Sequence, residues 1–182
     1  MWGWVTGFPK DHGWNGCLTV PRELSISRDG ELRQTPAPQL SKLRGKPAQL
    51  KHVKLKGEGA TLVLPHTNAL EIHADIALKT AEGMFLTLKN GNADEKPIVL
   101  EFNRTHFKMP NTEAGLALDP SKPELNVRIF IDHSVLEVFV NETICATKVF
   151  PAMSSDMTLE IRPQGDGAEL KAAQAWPMKT IW

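Results

Sequence analysis

At 182 residues the chain has enough material for one well-buried domain and little for two. Lysines plus arginines number 21, as do aspartates plus glutamates, so the formal net charge is zero and the basic excess of a nucleic-acid binder is missing. An apolar content of 41% with dispersed charges excludes disorder, and no apolar run nears the roughly 18 residues of a membrane span, so no membrane partner is expected. MWGWVTGFPK has no basic segment ahead of an apolar core, so no secretory signal is visible. That leaves a cytoplasmic protein, or a mature or truncated piece of a secreted or periplasmic one. Cys17 and Cys145 are too few for a disulfide framework and are expected as buried free thiols, with a single bridge as the alternative.

The chain opens on aromatic residues. Trp2, Trp4 and Phe8 alternate with Gly3 and Gly7, and three of the five tryptophans lie in the first fourteen positions. Trp2 and Trp4 would share one face of a strand. Packing is the simpler reading, with Trp2 and Trp4 as a contact to another domain or a second copy; an aromatic sugar platform of Trp2, Trp4 and Trp14 is the alternative. Arg22-Glu23 follows Pro21 and reads either as a local ion pair on a strand or as a contact to another domain or a second copy. Arg28-Asp29-Gly30 predicts a hairpin turn between Leu24–Ile26 and Leu32–Gln34. Gln39 to Arg44 could make one or two helical turns, ended by Gly45-Lys46-Pro47.

Further strands are expected at Leu70 to Leu78, Gly83 to Lys89, Ile98 to Phe102, Thr105 to Lys108, Gly115 to Leu118, Met157 to Ile161 and Glu169 to Trp176. Leu70, Ile72, Ala74, Ile76 and Leu78 point one way, and Glu71, His73 and Asp75 the other, the clearest period-2 alternation in the sequence. VRIFIDHSVLEVFVNETICATKV (127–149) reads as a three-stranded meander with turns at Asp132-His133-Ser134 and Asn141-Glu142. Glu137, between Leu136 and Val138, is expected on the solvent face or opposite a cross-strand partner. Ten or more short strands with regular turn signals predict an all-β, two-sheet antiparallel sandwich, lectin-like or jelly-roll-like.

RIFIDHSVLEVFVN (128–141), followed by Lys148-Val149-Phe150-Pro151, resembles the C-terminal β-sandwich of glycoside hydrolase family 32, the invertases, levanases and inulinases. Trp2-Gly3-Trp4, Gly13-Trp14-Asn15-Gly16-Cys17 and Leu18 to Leu24 are similar to the passage out of that family's catalytic β-propeller. The ending from Ala175 to Trp182 resembles the family's C-terminus. The resemblance implies a remnant of the last propeller strand plus linker over 1–44 and the sandwich over 45–182. It implies a missing propeller, or a second copy of the chain, as partner. Residues 1–8 would then fold onto their own sandwich, pair with another chain, or be disordered.

The family's catalytic carboxylates, in motifs of the Asn-Asp-Pro-Asn, Arg-Asp-Pro and Glu-Cys types, are absent here. Arg28-Asp29 precedes Gly30, Leu118 precedes Asp119-Pro120, and no glutamate precedes either cysteine. A retaining glycosidase needs two carboxylates roughly 5–5.5 Å apart. No catalytic residue is therefore assigned, and the chain alone is expected to be inactive. The histidines show no metal-ligand spacing, and Asp132-His133-Ser134 is no triad because adjacent strand residues face opposite ways. No metal or cofactor is expected. The expected function is a non-catalytic module of a β-fructosidase that steadies the propeller or mediates dimerisation. A stand-alone carbohydrate-binding module with weak affinity for fructan or sucrose, or a structural oligomerisation domain, is the alternative. The natural glycan and the oligomeric state stay open.

Overall fold

The computed structural model describes residues 1–9, 13–91 and 95–180. Ile181 and Trp182, part of the C-terminal resemblance, lie outside the described residues.

The first strands are short: β1 (Trp4–Val5), β2 (Cys17–Leu18), β3 (Arg22–Ile26) and β4 (Leu32–Pro36). β1 pairs with β2, and β3 with β4 as the expected hairpin. A 3-10 helix (Pro38–Leu43) follows, with proline in its first turn, where a missing N–H costs nothing. Lys179 N–H donates to Leu43 O, and Gly45 N–H to Pro177 O at 2.8 Å. A side chain at Gly45 would collide with the Pro177 ring, its Cβ lying 2.8 Å from Cγ.

The remaining strands form two six-stranded antiparallel sheets. They are β5 (Ala48–Leu55), β6 (Ala60–Val63), β7 (Ala69–Ala77), β8 (Gly83–Asn90), β9 (Ile98–Asn103), β10 (His106–Met109), β11 (Thr112–Gly115), β12 (Glu124–Asp132), β13 (Val135–Val140), β14 (Ile144–Val149), β15 (Met157–Gln164) and β16 (Ala168–Pro177). One sheet runs β11-β10-β9-β8-β15-β6, the other β14-β13-β12-β7-β16-β5. The two-sheet sandwich is as expected, and so is the meander β12-β13-β14.

Leu70, Ile72, Ala74 and Ile76 of β7 are buried, as are Val127, Ile129 and Ile131 of β12. From the other sheet Met84, Leu86, Leu100, Phe102, Leu159 and Ile161 complete one continuous core. Phe102 stacks on Phe107 with centroids 5.1 Å apart. Each such aliphatic side chain contributes about 1.5–3 kcal/mol on full burial, so alternation along β7 and β12 dictates which face turns inward.

The strand expected at Gly115 to Leu118 is instead β11, three residues earlier. Asn111, at φ 59°, closes a two-residue turn after Met109 that pairs Thr112 with it and so fixes the register. Leu116 is still buried, but as part of the connection into β12. β5 and β6 have no counterpart among the expected strands. His52, at φ 52°, interrupts β5 where β16 also slips register, so the alternation of Leu50, Lys51, Val53 and Lys54 is broken in the sequence.

Candidate functional site

The outer face of the β14-β13-β12-β7-β16-β5 sheet carries two carboxylates that the alternation places away from the core, Glu71 on β7 and Glu137 on β13. Both are nevertheless buried, at 0% and 3% exposure. Val20 and Arg22 reach over Glu137, and Arg44 over Glu71. Glu137 is therefore not on the solvent face, because β2, β3 and the segment between them cover it.

Glu137 Oε1 accepts from the Val20 N–H at 2.7 Å and Oε2 from Arg22 Nη2 at 2.9 Å. Arg22 Nη2 also lies 3.3 Å from Thr147 Oγ1, and the guanidinium sits over the Phe139 ring. Its Nε is buried without a hydrogen-bond partner. Burial pushes the Glu137 carboxyl above its ordinary range, against the opposing pull of the Val20 N–H and Arg22. Arg22 thus meets a partner 115 positions away rather than the adjacent Glu23.

Glu71 is held more completely. Arg44 donates Nε to Oε2 at 2.7 Å and Nη2 to Oε1 at 2.6 Å, and Arg128 donates Nε and Nη2 to Oε1 at 3.2 and 2.5 Å. Arg44 also stacks 4.1 Å above Trp176. Burial is the largest single influence on Glu71 and acts upward. The hydrogen bonds and charges of the two guanidiniums together exceed it and hold the carboxyl below its usual range.

The aromatic opening folds onto its own chain. Met1, Gly3 and β1 run antiparallel to Cys17–Arg22, with Thr19 N–H donating to Gly3 O and Arg22 N–H to Met1 O. Val5 is buried. Trp2 and Trp4 are each 60% exposed and Trp14 is 50% exposed. A Cβ at Gly16 would lie 2.6 Å from the Trp4 indole nitrogen, so glycine is required beneath that ring. Phe8 and Trp14 meet at 4.6 Å with a 59° tilt, beside an open depression formed with Pro9, Gly13 and Asn15. β1 thus takes in Trp4 but not Trp2, and Trp14 lies against Phe8 instead.

Cys17 and Cys145 are both free and half-buried. Burial pushes the Cys145 thiol up to about 12. One arrangement escaped the sequence reading. His66 Nδ1 lies 2.7 Å from Asp156 Oδ1, and Ser155 Oγ 3.3 Å from His66 Nε2. The ring and carboxylate are 75% and 72% exposed, so water competes for both bonds and nothing desolvates the hydroxyl. His133 and Asp132 pair in the exposed β12–β13 turn. Among the described residues no group of His, Cys, Asp and Glu is disposed to hold a metal, and no helix is long and apolar enough to cross a membrane.

Residues 39–177 match the family model described as "Glycosyl hydrolases family 32 C terminal". The chain belongs to this family, as its C-terminal domain. It is 29% identical over 181 residues to the raffinose invertase of Escherichia coli, covering 90% of this chain and 35% of that protein. It is 23% identical over 203 residues to the levanase of Bacillus subtilis, covering all of this chain and 30% of the relative. The family 32 chain thus spans about a third of the length of the curated relatives it matches. Among solved structures, fructan 1-exohydrolase IIa of Cichorium intybus superposes with a TM-score of 0.73 at 20% identity, over 98% of this chain and 45% of that one. Sucrose-6-phosphate hydrolase of Lactobacillus gasseri gives 0.69 at 22%, over 98% and 38%. At those identities the likeness is one of fold.

Proposed function

We propose that this family 32 domain is the non-catalytic sandwich of a β-fructosidase that hydrolyses sucrose, levan or inulin, and that it braces a catalytic propeller. One observation carries the reading. Among the described residues the buried carboxylates are Glu71 and Glu137, and each is already engaged by guanidinium. A carboxylate so engaged is not available as nucleophile or as proton donor to a glycosidic oxygen. The names of the relatives, an invertase, levanases and sucrose-6-phosphate hydrolases, supply the substrate class.

The bracing surface is the stretch that the resemblance assigns to a remnant strand and linker, residues 1–44. Met1, Trp2, Trp4 and Leu18 expose apolar surface there, and Arg22 anchors the segment to the sandwich. An apolar groove of about 400 Å³ lies next to it, lined by Val20, Leu40, Leu43, Phe130 and Met178. Incubating the chain with sucrose and with levan is expected to release no fructose above a protein-free control; release would overturn the reading. Mixing it with a separately produced propeller of the raffinose invertase is expected to shift the tryptophan emission to the blue. An unchanged spectrum counts against bracing.

A second reading rests on the β3–β4 hairpin, where Leu24, Ile26 and Leu32 expose apolar side chains on one face. A second copy of the chain could cover them. Light scattering of the native chain and of Ile26→Lys decides this, since a monomer in both leaves the hairpin without that role.

A further inference from the structure

Away from both ion-pair nodes, a groove of about 450 Å³ opens on the outer face of the β12-bearing sheet, within the roughly 300–1,000 Å³ of small-ligand pockets. Asp75 comes from β7, Glu124 and Asn126 from β12, Asn141 and Glu142 from the β13–β14 turn, and Lys171 from β16. With Ile76 and Leu125 beneath, the lining mixes carboxylate, carboxamide and ammonium groups. We infer that this groove is a binding site for a short neutral saccharide.

Asn126, Asp75, Glu124 and Lys171 are tied in place before any ligand arrives. Asn126 Nδ2 donates to His73 Nε2 and to Asp75 Oδ1, both at 2.7 Å. Burial, the largest influence on His73, lowers its pKa, so the ring is neutral at pH 7 and its Nε2 accepts. Both hydrogens of the Asn126 amide are thereby spent, and what it offers a ligand is the Oδ1 acceptor. Lys171 Nζ binds Glu124 Oε1 at 2.6 Å and keeps further N–H donors for the groove. The Glu142 carboxylate makes no hydrogen bond or ion pair among the described residues.

A hydroxyl group both donates and accepts, so a polyol can answer the Asn126 and Glu142 acceptors and the Lys171 donors with the same functional group. An anionic ligand would meet three carboxylates against one ammonium. A cationic one would find Glu124 paired with Lys171 and Asp75 Oδ1 already engaged by the Asn126 amide, leaving Glu142 as the carboxylate without a partner among the described residues. No aromatic ring lines the groove, so stacking adds nothing and the affinity is millimolar, held by hydrogen bonds.

The turn adds a distinguishing signature. Asn141 and Glu142 both lie in the left-handed region, at φ 48° and 62°. Asn141 tolerates this and ties its amide to β12, accepting from the Asn126 N–H at 2.7 Å and donating to Glu124 O at 3.0 Å. Glu142 has no such compensation, and glycine in its place would relieve strain. A saccharide role accounts for a carboxylate retained there at a cost in stability.

The test is a chemical-shift titration of the isotope-labelled full chain with sucrose and with 1-kestose, beside spermidine as the cationic probe. Saturable shifts at the amides of residues 75, 124–126, 141–142 and 171 are expected with the sugars. Glu142→Gly is expected to melt higher than the native chain yet bind the sugars about tenfold more weakly. Asn126→Asp, which keeps the shape but sets a second carboxylate against Asp75 where the amide donated, is expected to push the Oδ1 acceptor out of place and weaken the sugar shifts. Absence of saturation in the native chain, equal sugar affinity in Glu142→Gly, or tighter binding of spermidine to these residues would overturn the assignment. Because the titration reads binding to this chain alone, its outcome is separate from that of the fructose-release assay.

Discussion

Two glutamates on one sheet face, both in the interior, carry opposite electrostatic outcomes, and the difference is a matter of bond counting. Glu71 receives donors from two arginines, whereas Glu137 has one arginine whose Nε goes unsatisfied. Removing the anion from Glu71 leaves two partly buried guanidiniums facing each other. Glu71→Gln is therefore expected to cost about 3 kcal/mol, the low end for breaking a buried ion pair because both arginines keep some solvent contact. Glu137→Gln retains an acceptor for the Val20 N–H and is expected to cost less. Urea midpoints of the two variants check the order, and a reversal would contradict the bonding account. The pH dependence has a definite sign. Because the folded state holds Glu71 below the ordinary carboxyl value, its contribution is full above that value and is lost as pH falls through the lower, folded one. The gap between native chain and Glu71→Gln should accordingly close on the acid side of about pH 4.5, the ordinary glutamate value, and persist at neutral pH.

At the scale of strands and turns, what could be read from the sequence followed burial on one side of a regular strand. β7 alternates without interruption and β12 departs only at Phe130, so their extent and inward face were legible from Leu70 to Ala77 and from Val127 to Asp132. β5 was hidden by the residue at His52, which shifts the alternation out of phase, and β11 by a turn whose Asn111 carries the positive φ usually signalled by glycine. Glu137 was legible only in part: it does face Thr147 across the β13–β14 ladder, but it is not on the solvent face. Pattern tells which face of a sheet a residue occupies, but not whether distant chain will cover that face, and the cover here comes from Val20 and Arg22. The groove at Asp75, Asn126 and Glu142 was equally invisible, since its members are scattered over 97 positions from Asp75 to Lys171 and share no spacing. The β13–β14 turn gives the sharpest prediction at this scale. Asn141→Ala removes two hydrogen bonds to β12 and places alanine at a left-handed φ, and is expected to lower stability by about 2–3 kcal/mol, read as a fall in the urea midpoint. Glu142→Gly acts in the opposite direction by about 1 kcal/mol. Opposite signs at adjacent positions would be hard to obtain from any cause but backbone conformation.

Across the whole molecule the sandwich and the segment before it are stabilised in different ways. The sheets share a continuous core of fully buried side chains, whereas the opening segment buries little apolar surface of its own, with Val5 its buried hydrophobic residue in β1 and Trp2, Trp4 and Leu18 exposed. What fixes it is a small set of polar ties: Arg22 and Val20 to Glu137, Gln34 N–H to Glu142 O at 2.6 Å, Arg33 to Asn141 O at 3.1 Å, and Arg44 to Glu71. Cooperative units held by few apolar contacts open at lower free energy than the global transition. Amide exchange is therefore expected to show two classes, with Val5, Leu18 and Leu24 opening several kcal/mol below Ile72 and Ile129. Urea should accelerate the second class more steeply, because only global unfolding exposes the inter-sheet core. Arg22→Met replaces the guanidinium with an apolar chain and leaves Glu137 buried and uncompensated. It should speed exchange at Val5, Leu18 and Leu24 while the urea slope at Ile129 stays that of the native chain. A single protection class, with one urea slope from Val5 to Ile129, would mean that the opening segment and the sandwich unfold as one unit, and the polar ties would then have to be far stronger than their geometry implies.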